Sequence, residues 1–189
     1  FSNFESSGGG AIDIWSENGG GSIDVEGCTF DGNSAFQPGE DFNTGGAISI
    51  GGLACSDLDV EVIDGTFSGN DAAEGGAVGT TWRNGNAPNA CTVHVHNSSF
   101  LSNVAQSDDG GASSAVGASF TDCTFTQNDA ADDGGALSRP GDVDGSTFTD
   151  NTAADAGGAI RTRSGFAFAV TDAVFSGNDA PNGSAIHAE

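Results

Sequence analysis

The stretch Phe148-Thr149-Asp150-Asn151-Thr152-Ala153-Ala154-Asp155-Ala156-Gly157-Gly158-Ala159-Ile160 decides the fold of this chain, because shortened copies of it recur along all 189 residues. Its first part, FxxN, returns as Phe30 with Asn33, Phe67 with Asn70, Phe100 with Asn103, Phe125 with Asn128, and Phe175 with Asn178. Its second part, the tripeptide GGA, begins at Gly9, Gly45, Gly75, Gly110, Gly134 and Gly157, and Gly183 begins a GSA variant. The chain is therefore a repeat protein.

The spacing of the copies predicts a solenoid. Successive motif phenylalanines are 37, 33, 25, 23 and 27 residues apart, and periods of this size are typical of stacked coils. Residues before each Phe alternate between apolar and polar, as in Ile23-Asp24-Val25-Glu26, which indicates a strand, and a second short strand follows each GGA. We predict one all-β domain over residues 1–189, a parallel β-helix of about seven coils. The coils are predicted to start near Phe1, Phe30, Phe67, Phe100, Phe125, Phe148 and Phe175.

Each residue type in the motif has a geometric reason to be there. A Phe that points into the coil stacks on the Phe of the next coil at the strand spacing of roughly 4.8 Å. An Asn in a turn can bond to backbone groups and to the next Asn, which forms a ladder. A Gly pair suits a corner where φ is positive and two backbones approach closely. We therefore expect the motif residues to have a structural role.

The combination of FxxN with GGA followed by Ile, Val or Leu resembles the repeat pair of the chlamydial polymorphic outer-membrane protein family and of related secreted surface proteins. The resemblance covers essentially the whole chain. It implies a right-handed parallel β-helix, an extracellular or cell-surface location, and a role in adhesion or surface display. Nothing in the chain corresponds to the translocating barrel of such proteins, so we expect at most the passenger part.

The charge balance excludes several partners. The chain has 27 acidic residues against four arginines and no lysine, a net charge of −23 at pH 7. A nucleic acid or an anionic membrane surface would be repelled by such a charge. We also expect no membrane insertion, because no apolar stretch approaches the 18 or so residues of a spanning helix.

Two explanations of the acidity remain open. One is adaptation to high salt, which screens the repulsion within an acidic surface, as in halophilic proteins. The other is calcium, since acidic residues recur just before the glycines and would form a column of carboxylates that repel one another by roughly 1 kcal/mol in water, and more at lower dielectric. The candidate calcium ligands are Glu74, Asp108, Asp109, Asp132, Asp133 and Asp155, and Glu40 and Asp41 extend the pattern.

The four cysteines divide by their position in the repeat. Cys55 and Cys91 open equivalent strands of neighbouring coils, so we predict a disulfide between them. Cys28 and Cys123 both precede a motif Phe by two residues but lie three coils apart, about 14 Å at the strand spacing. We expect them to be free thiols in the core.

Catalysis finds little support. Parallel β-helix enzymes that act on polysaccharides use clustered carboxylates with calcium and a basic residue. Arg161 and Arg163 share one strand face, and with Asp132, Asp133 and Asp155 one coil away they would imitate a lyase site. A salt-bridged face or a subunit contact is the simpler interpretation, and we expect no enzymatic activity. His94 and His96 also share a strand face, but the sequence shows no third metal ligand beside them, and His187 stands apart.

Two further features bear on partners. Trp82, Phe36 and Phe42 lie in insertions, where they either pack onto the solenoid or contact a glycan or another subunit. No capping helix is predicted, and the last copy is in phase to be followed by the first. We therefore expect an extracellular structural or adhesive protein, either a head-to-tail fibre subunit or a passenger segment. A polysaccharide-acting enzyme and a calcium-binding module are the alternatives.

Overall fold

A computed structural model describes residues 9–16, 20–36, 43–52, 55, 57–81, 91–165 and 167–189. Over these ranges the chain consists of strands and turns without helices, so no described helix could cross a membrane. Every strand pairs in parallel with the equivalent strand of a neighbouring coil. The predicted all-β parallel solenoid is confirmed, with seven coils. Phe1, Glu40, Asp41, Phe42 and Trp82 lie outside the described residues.

Four parallel sheets run along the solenoid. The GGA sheet follows the GGA corners: β1 (Ile12–Ser16), β4 (Ile48–Gly52), β8 (Val78–Thr81), β12 (Ser113–Ser114), β16 (Leu137–Ser138), β20 (Ile160–Thr162) and β23 (Ile186–Ala188). The His sheet, named after His94 and His96, contains β2 (Gly21–Glu26), β5 (Leu58–Ile63), β9 (Thr92–His96), β13 (Ser119–Thr121), β17 (Asp142–Asp144) and β21 (Ala169–Thr171).

The other two sheets are narrower. The Phe sheet contains the motif phenylalanines: β3 (Thr29–Asp31), β6 (Thr66–Ser68), β10 (Ser99–Leu101), β14 (Thr124–Thr126), β18 (Thr147–Thr149) and β22 (Val174–Ser176). The Ala sheet contains β7 (Asp71–Ala72), β11 (Val104–Ala105), β15 (Asp129–Ala130) and β19 (Thr152–Ala153). Single bridges at Ser34 and Asp179 extend it by one coil at each side.

Each full coil therefore has four strands, where the sequence predicted two. The chain passes from the His sheet to the Phe sheet, the Ala sheet and the GGA sheet in turn. Sharp corners separate these short strands because one residue at each takes the left-handed conformation. The residue before the motif Asn does so in every described copy: Gly32, Gly69, Ser102, Gln127, Asp150 and Gly177. The two strands on either side are too short to show a period of two, which is why the pattern did not predict them.

The GGA corner uses both of its glycines, as expected. Gly134 has φ +65°, which suits a residue without a side chain. A Cβ on Gly135 would lie 2.2 Å from the carbonyl oxygen of Gly158 in the next coil. The corner therefore requires glycine for its conformation at the first position and for backbone approach at the second.

The motif phenylalanines form one continuous stack inside the solenoid. Neighbouring rings are 4.7–4.9 Å apart between centroids and nearly parallel, which confirms the predicted spacing. The completely buried rings are those of Phe30, Phe67, Phe100, Phe125 and Phe148. Phe120 of the His sheet packs edge-on against Phe100 and Phe125. Ile, Val and Ala of the surrounding sheets complete the core.

The motif asparagines form a ladder beside this stack. In each rung the backbone N–H and the side-chain Nδ2 both donate to the Oδ1 of the Asn in the next coil, as Asn70 does to Asn103 at 3.0 Å and 2.9 Å. Each Nδ2 after the first also donates to the carbonyl oxygen of the motif Phe in the preceding coil, as Asn70 does to Phe30 at 3.1 Å.

Burial makes these hydrogen bonds necessary. The completely buried members of the ladder are Asn33, Asn70, Asn103, Asn128 and Asn151. Asn178, in the last described coil, is half-buried and differs in this respect from the others. The ladder thus satisfies buried polar groups at the corner where the backbone changes direction.

The cysteines follow the predicted arrangement with one difference. Cys55 and Cys91 form a disulfide, with Cα atoms 4.7 Å apart. Cys28 and Cys123 are free. Cys123 is buried, and burial raises the pKa of its thiol to about 12. Cys28 is only half-buried, because it lies in a coil near the start of the stack.

We predict that Asn128→Ala lowers the free energy of unfolding by about 3–4 kcal/mol. The change removes four buried hydrogen bonds, two accepted from Asn103 and one donated to each of Phe100 and Asn151. Urea denaturation followed by circular dichroism measures the loss. The control is Asn182→Ala, an exposed Asn whose side chain bonds to Asp155, with an expected loss below about 1 kcal/mol. Equal losses in the two variants would contradict a structural role for the ladder.

Candidate functional site

Six acidic residues from four consecutive coils meet at the corner between the Ala sheet and the GGA sheet. We call this set the acidic corner: Glu74, Asp108, Asp109, Asp132, Asp133 and Asp155. These are the residues that the sequence predicted as calcium candidates within the described ranges. The stacking of coils brings them together because each follows its Ala-sheet strand and precedes its GGA turn.

Three of these residues form an inner column, in which Asp109 and Asp133 are buried and Glu74 is half-buried. Glu74, Asp109 and Asp133 directly precede the first Gly of the turn, and hydrogen bonds from Gly75 to Asp109 O and from Gly110 to Asp133 O hold them in register. Asp109 and Asp133 are only 1% and 4% exposed. Carboxylates this deeply buried require partners.

The other three residues form an outer column on the surface. Asp108 and Asp132 stand one residue earlier in their coils, and Asp155 aligns with Asp132 through a backbone hydrogen bond from Asp155 N to Asp132 O. All three are exposed. Asp155 therefore does not continue the inner column, where Ala156 stands instead. Its carboxylate accepts a hydrogen bond from Asn182.

Arginines neutralise the inner column. Arg139 Nη2 contacts Glu74 Oε1 and lies 3.8 Å from Asp109 Oδ2. Arg161 Nε donates to Asp133 Oδ2 at 3.0 Å, and Arg163 Nη2 lies 3.3 Å from Asp109 Oδ2 and 3.4 Å from Asp133 Oδ2. A serine hydroxyl also donates to Asp109 Oδ2, at 3.1 Å. These ion pairs offset part of the repulsion within the inner column, and calcium binding by these residues stays a prediction.

Carboxylates within reach of a cation remain at the outer edge of the corner. Oxygen atoms of Asp108, Asp109 and Asp132 all lie within 4.8 Å of one another, and so do those of Asp132, Asp133 and Asp155. Asp132 belongs to both groups. Calcium binds carboxylate oxygens in flexible geometry, so these two groups are the part of the corner that matches its chemistry.

Burial and mutual repulsion raise several pKa values in the corner. Burial raises the pKa of Glu74 from 4.5 to about 7, assisted by the charges of Asp108 and Asp109 and opposed by Arg139. Desolvation, followed by the charge of Asp109, raises the pKa of Asp108. Partial desolvation and then the charges of neighbouring aspartates, of which Asp133 comes first, raise the pKa of Asp132. The corner therefore holds more negative charge than its three arginines neutralise.

The arginine contacts extend further than the sequence indicated. The sequence predicts that Arg161 and Arg163 face carboxylates one coil away. Arg161 does so, whereas Arg163 also reaches Asp109, two coils back. Arg139, which the repeat pattern did not connect to the corner, reaches Glu74 across two coils as well. One feature of the sequence could have indicated this contact. Arg139 directly follows β16, which pairs with the strand that carries Arg161.

The histidines lie elsewhere, on the outer face of the His sheet. The rings of His94 and His96 are 6.2 Å apart between centroids. The structure adds a neighbour that the sequence did not predict, since Asp59 Oδ1 lies 3.9 Å from His94 Nε2. His187 is on the GGA sheet, 3.7 Å from Glu189. The candidate aromatic Phe36 is half-buried.

One comparison with known proteins identifies the repeat. Residues 145–163 match the family model of the Chlamydia polymorphic membrane protein repeat. This segment contains the Phe148–Asn151 motif, the Gly157 corner and both Arg161 and Arg163. No curated protein and no solved structure gives a significant match. The resemblance to the chlamydial repeat is confirmed for this copy.

We predict that Arg161→Gln lowers the free energy of unfolding by about 3 kcal/mol, because it leaves the buried Asp133 without its closest cation. Urea denaturation at neutral pH measures the effect. The matched control is Arg163→Gln, for which we expect about 1 kcal/mol, since the Arg163 side chain is 43% exposed. A smaller loss for Arg161→Gln than for Arg163→Gln would refute the role given to Arg161.

We predict that stability falls as pH rises from about 4.5 to about 7, partly through Glu74. Its pKa is higher in the folded chain than in the unfolded chain, so in this range the unfolded state releases the proton more readily. The Glu74 contribution is on the order of 2–3 kcal/mol, complete below pH 4.5 and lost above pH 7. Glu74→Gln should flatten the pH profile, as measured by denaturation at several pH values. An unchanged pH profile in Glu74→Gln would contradict this role of Glu74.

Proposed function

We propose that this chain is an extracellular structural element of the surface-passenger type, a stiff rod that is not an enzyme. The observation that carries the proposal is the uninterrupted asparagine ladder. It joins six consecutive coils, from Asn33 through Asn70 to Asn178, by the same pair of hydrogen bonds. A stack without a break in its polar or aromatic column resists bending and presents flat outer faces.

The comparison and the chemistry of the chain support a surface location. The matched repeat takes its description from polymorphic membrane proteins of Chlamydia. The Cys55–Cys91 disulfide is compatible with an oxidising exterior. Three of the four arginines lie at the acidic corner, so most of the acidic residues that the structure describes form no ion pair with an arginine. Such a surface is soluble in a salt-rich medium, where ions screen its repulsion.

The last described coil supports end-to-end association. Its core side chains Val170, Phe175 and Ile186 are only partly buried, whereas their counterparts in the preceding coil are completely buried. The strands β21, β22 and β23 each pair on one side only among the described residues. A parallel coil laid on this edge would bury the three side chains and pair the backbone. We infer that a further coil covers this edge, supplied either by a second copy of this chain in a head-to-tail filament or, in a passenger segment, by further repeats of the same polypeptide.

A polysaccharide lyase or hydrolase is the competing function. The arginines and carboxylates of such a site would be those of the acidic corner. There Asp109 and Asp133 are buried, and Arg161 is only 6% exposed, held against Asp133 and the Thr162 carbonyl. Groups that are committed to one another in this way offer a substrate little access, which favours the structural proposal. Release of reducing or unsaturated sugar from acidic polysaccharides would reverse this conclusion.

The proposal predicts filaments in electron microscopy of the purified chain at high salt. Seven coils at the strand spacing give an axial repeat near 35 Å. Calcium and then a chelator are added to separate samples. Loss of the filaments in chelator would place a cation at the joint and favour a calcium-binding module. Monodisperse short rods in every condition would reject head-to-tail association.

Two matched variants localise the joint. Ile186→Asp places a charge on the open edge of the last coil and should abolish filaments while rods persist. Val174→Asp introduces the same charge on the outer flank of that coil, where Val174 is already 57% exposed, and should leave filaments intact. Equal effects of the two variants would show that the chains do not join through this edge.

A further inference from the structure

The outer face of the His sheet carries a second cluster of polar side chains, separate from the acidic corner. Asp59 and Glu61 lie on β5, His94 and His96 on β9, and Ser119 on β13, three adjacent strands. His94 is in register with Glu61 on one side and with Ser119 on the other. All five residues point away from the core, because the residues between them along each strand are buried.

The two ring nitrogens of His94 have different environments. Nδ1 lies 2.6 Å from the Ser119 hydroxyl oxygen. Nε2 points toward Asp59, whose Oδ1 is 3.9 Å away, too far for a hydrogen bond. When Nδ1–H donates to Ser119, the lone pair of Nε2 faces the carboxylate. A metal-binding imidazole has this arrangement, in which the second nitrogen donates to an outer partner and so fixes the tautomer.

Asp59 Oδ1 also lacks the partner that its environment requires. The atom is shielded from solvent and accepts no hydrogen bond from any described residue. In the tautomer whose Nδ1–H donates to Ser119, Asp59 Oδ1 therefore faces the lone pair of His94 Nε2 across a gap that no proton bridges. Two acceptors that face each other repel, and a cation between them converts the repulsion into attraction.

The width of this gap suits a transition-metal ion. Bonds from zinc to imidazole nitrogen and carboxylate oxygen are each about 2.0–2.2 Å, so the two atoms can be at most about 4.2 Å apart across one ion. The observed 3.9 Å lies inside this limit. A small rotation of the half-exposed side chains to about 3.4 Å gives the tetrahedral angle at the metal.

We propose that His94 and Asp59 hold a divalent transition-metal ion, for which Zn²⁺ is the reference. Imidazole selects zinc, nickel or copper over calcium, which prefers oxygen ligands. Ser119 is a positioning residue that orients His94. The net charge of −23 concentrates cations near the surface and assists binding.

Calorimetric titration of the chelator-treated full chain with Zn²⁺ at neutral pH tests the proposal. We expect one site per chain, weakened at least tenfold by His94→Gln. The matched control His187→Gln removes a histidine next to Glu189 on another sheet and should leave the affinity unchanged. Ser119→Ala should weaken binding about tenfold, as expected for an outer-sphere partner. Circular dichroism confirms that each variant is folded, so a loss of binding is not a loss of structure.

Substitution of Co²⁺ provides a spectroscopic readout. A bound tetrahedral Co²⁺ absorbs in the visible range, and we expect this band in the original chain and in His187→Gln but not in His94→Gln. Binding that survives His94→Gln yet disappears in Asp132→Asn would overturn the proposal in favour of the acidic corner. The absence of Zn²⁺ binding in the original chain would also overturn the proposal and leave His94 and Asp59 as a polar contact without a metal.

Discussion

The hydrogen bonds between successive coils are the constraint on which this structure depends. A coil of about 25 residues cannot satisfy its own backbone or bury its own apolar side chains, so each coil is completed by its neighbours. The strand spacing that these bonds impose also sets the separation of the phenylalanine rings, at 4.7–4.9 Å, and the length of every asparagine contact. One distance thus governs the aromatic core, the polar ladder and the approach of charged groups at the corners.

Charge at the acidic corner follows from the same spacing. Stacked coils place side chains of equal register a few ångströms apart, so repeated acidic residues become neighbours without any folding of distant segments. The long side chains of Arg139 and Arg163 bridge two coils and reach Glu74 and Asp109. A chain with four basic residues thus concentrates three of them where carboxylates are buried, and leaves the remaining acidic surface to the solvent.

The repetition made most of the fold predictable. The period, the phenylalanine stack, the asparagine ladder and the Cys55–Cys91 bond all follow from residues that recur in register. Contacts that depend on side-chain reach were harder to predict. The link from Arg139 to Glu74 spans 65 positions, and that from Asp59 to His94 runs diagonally between strands, so neither is visible in a one-coil register. The strands of the Phe sheet and the Ala sheet cannot be predicted in this way, because two or three residues are too few to show an alternation of apolar and polar side chains.

The asparagine ladder also has a sense of direction. Each rung donates from its backbone and side-chain nitrogens to one neighbour and accepts at Oδ1 from the other, and all described rungs are oriented alike. Two such columns brought together by their like ends would oppose donor to donor or acceptor to acceptor. The two ends of the solenoid are therefore different, because the ladder donors are directed toward one end and the acceptors toward the other. Any assembly that continues the ladder must add each molecule in the same orientation, and its two ends expose different hydrogen-bonding groups to the next molecule.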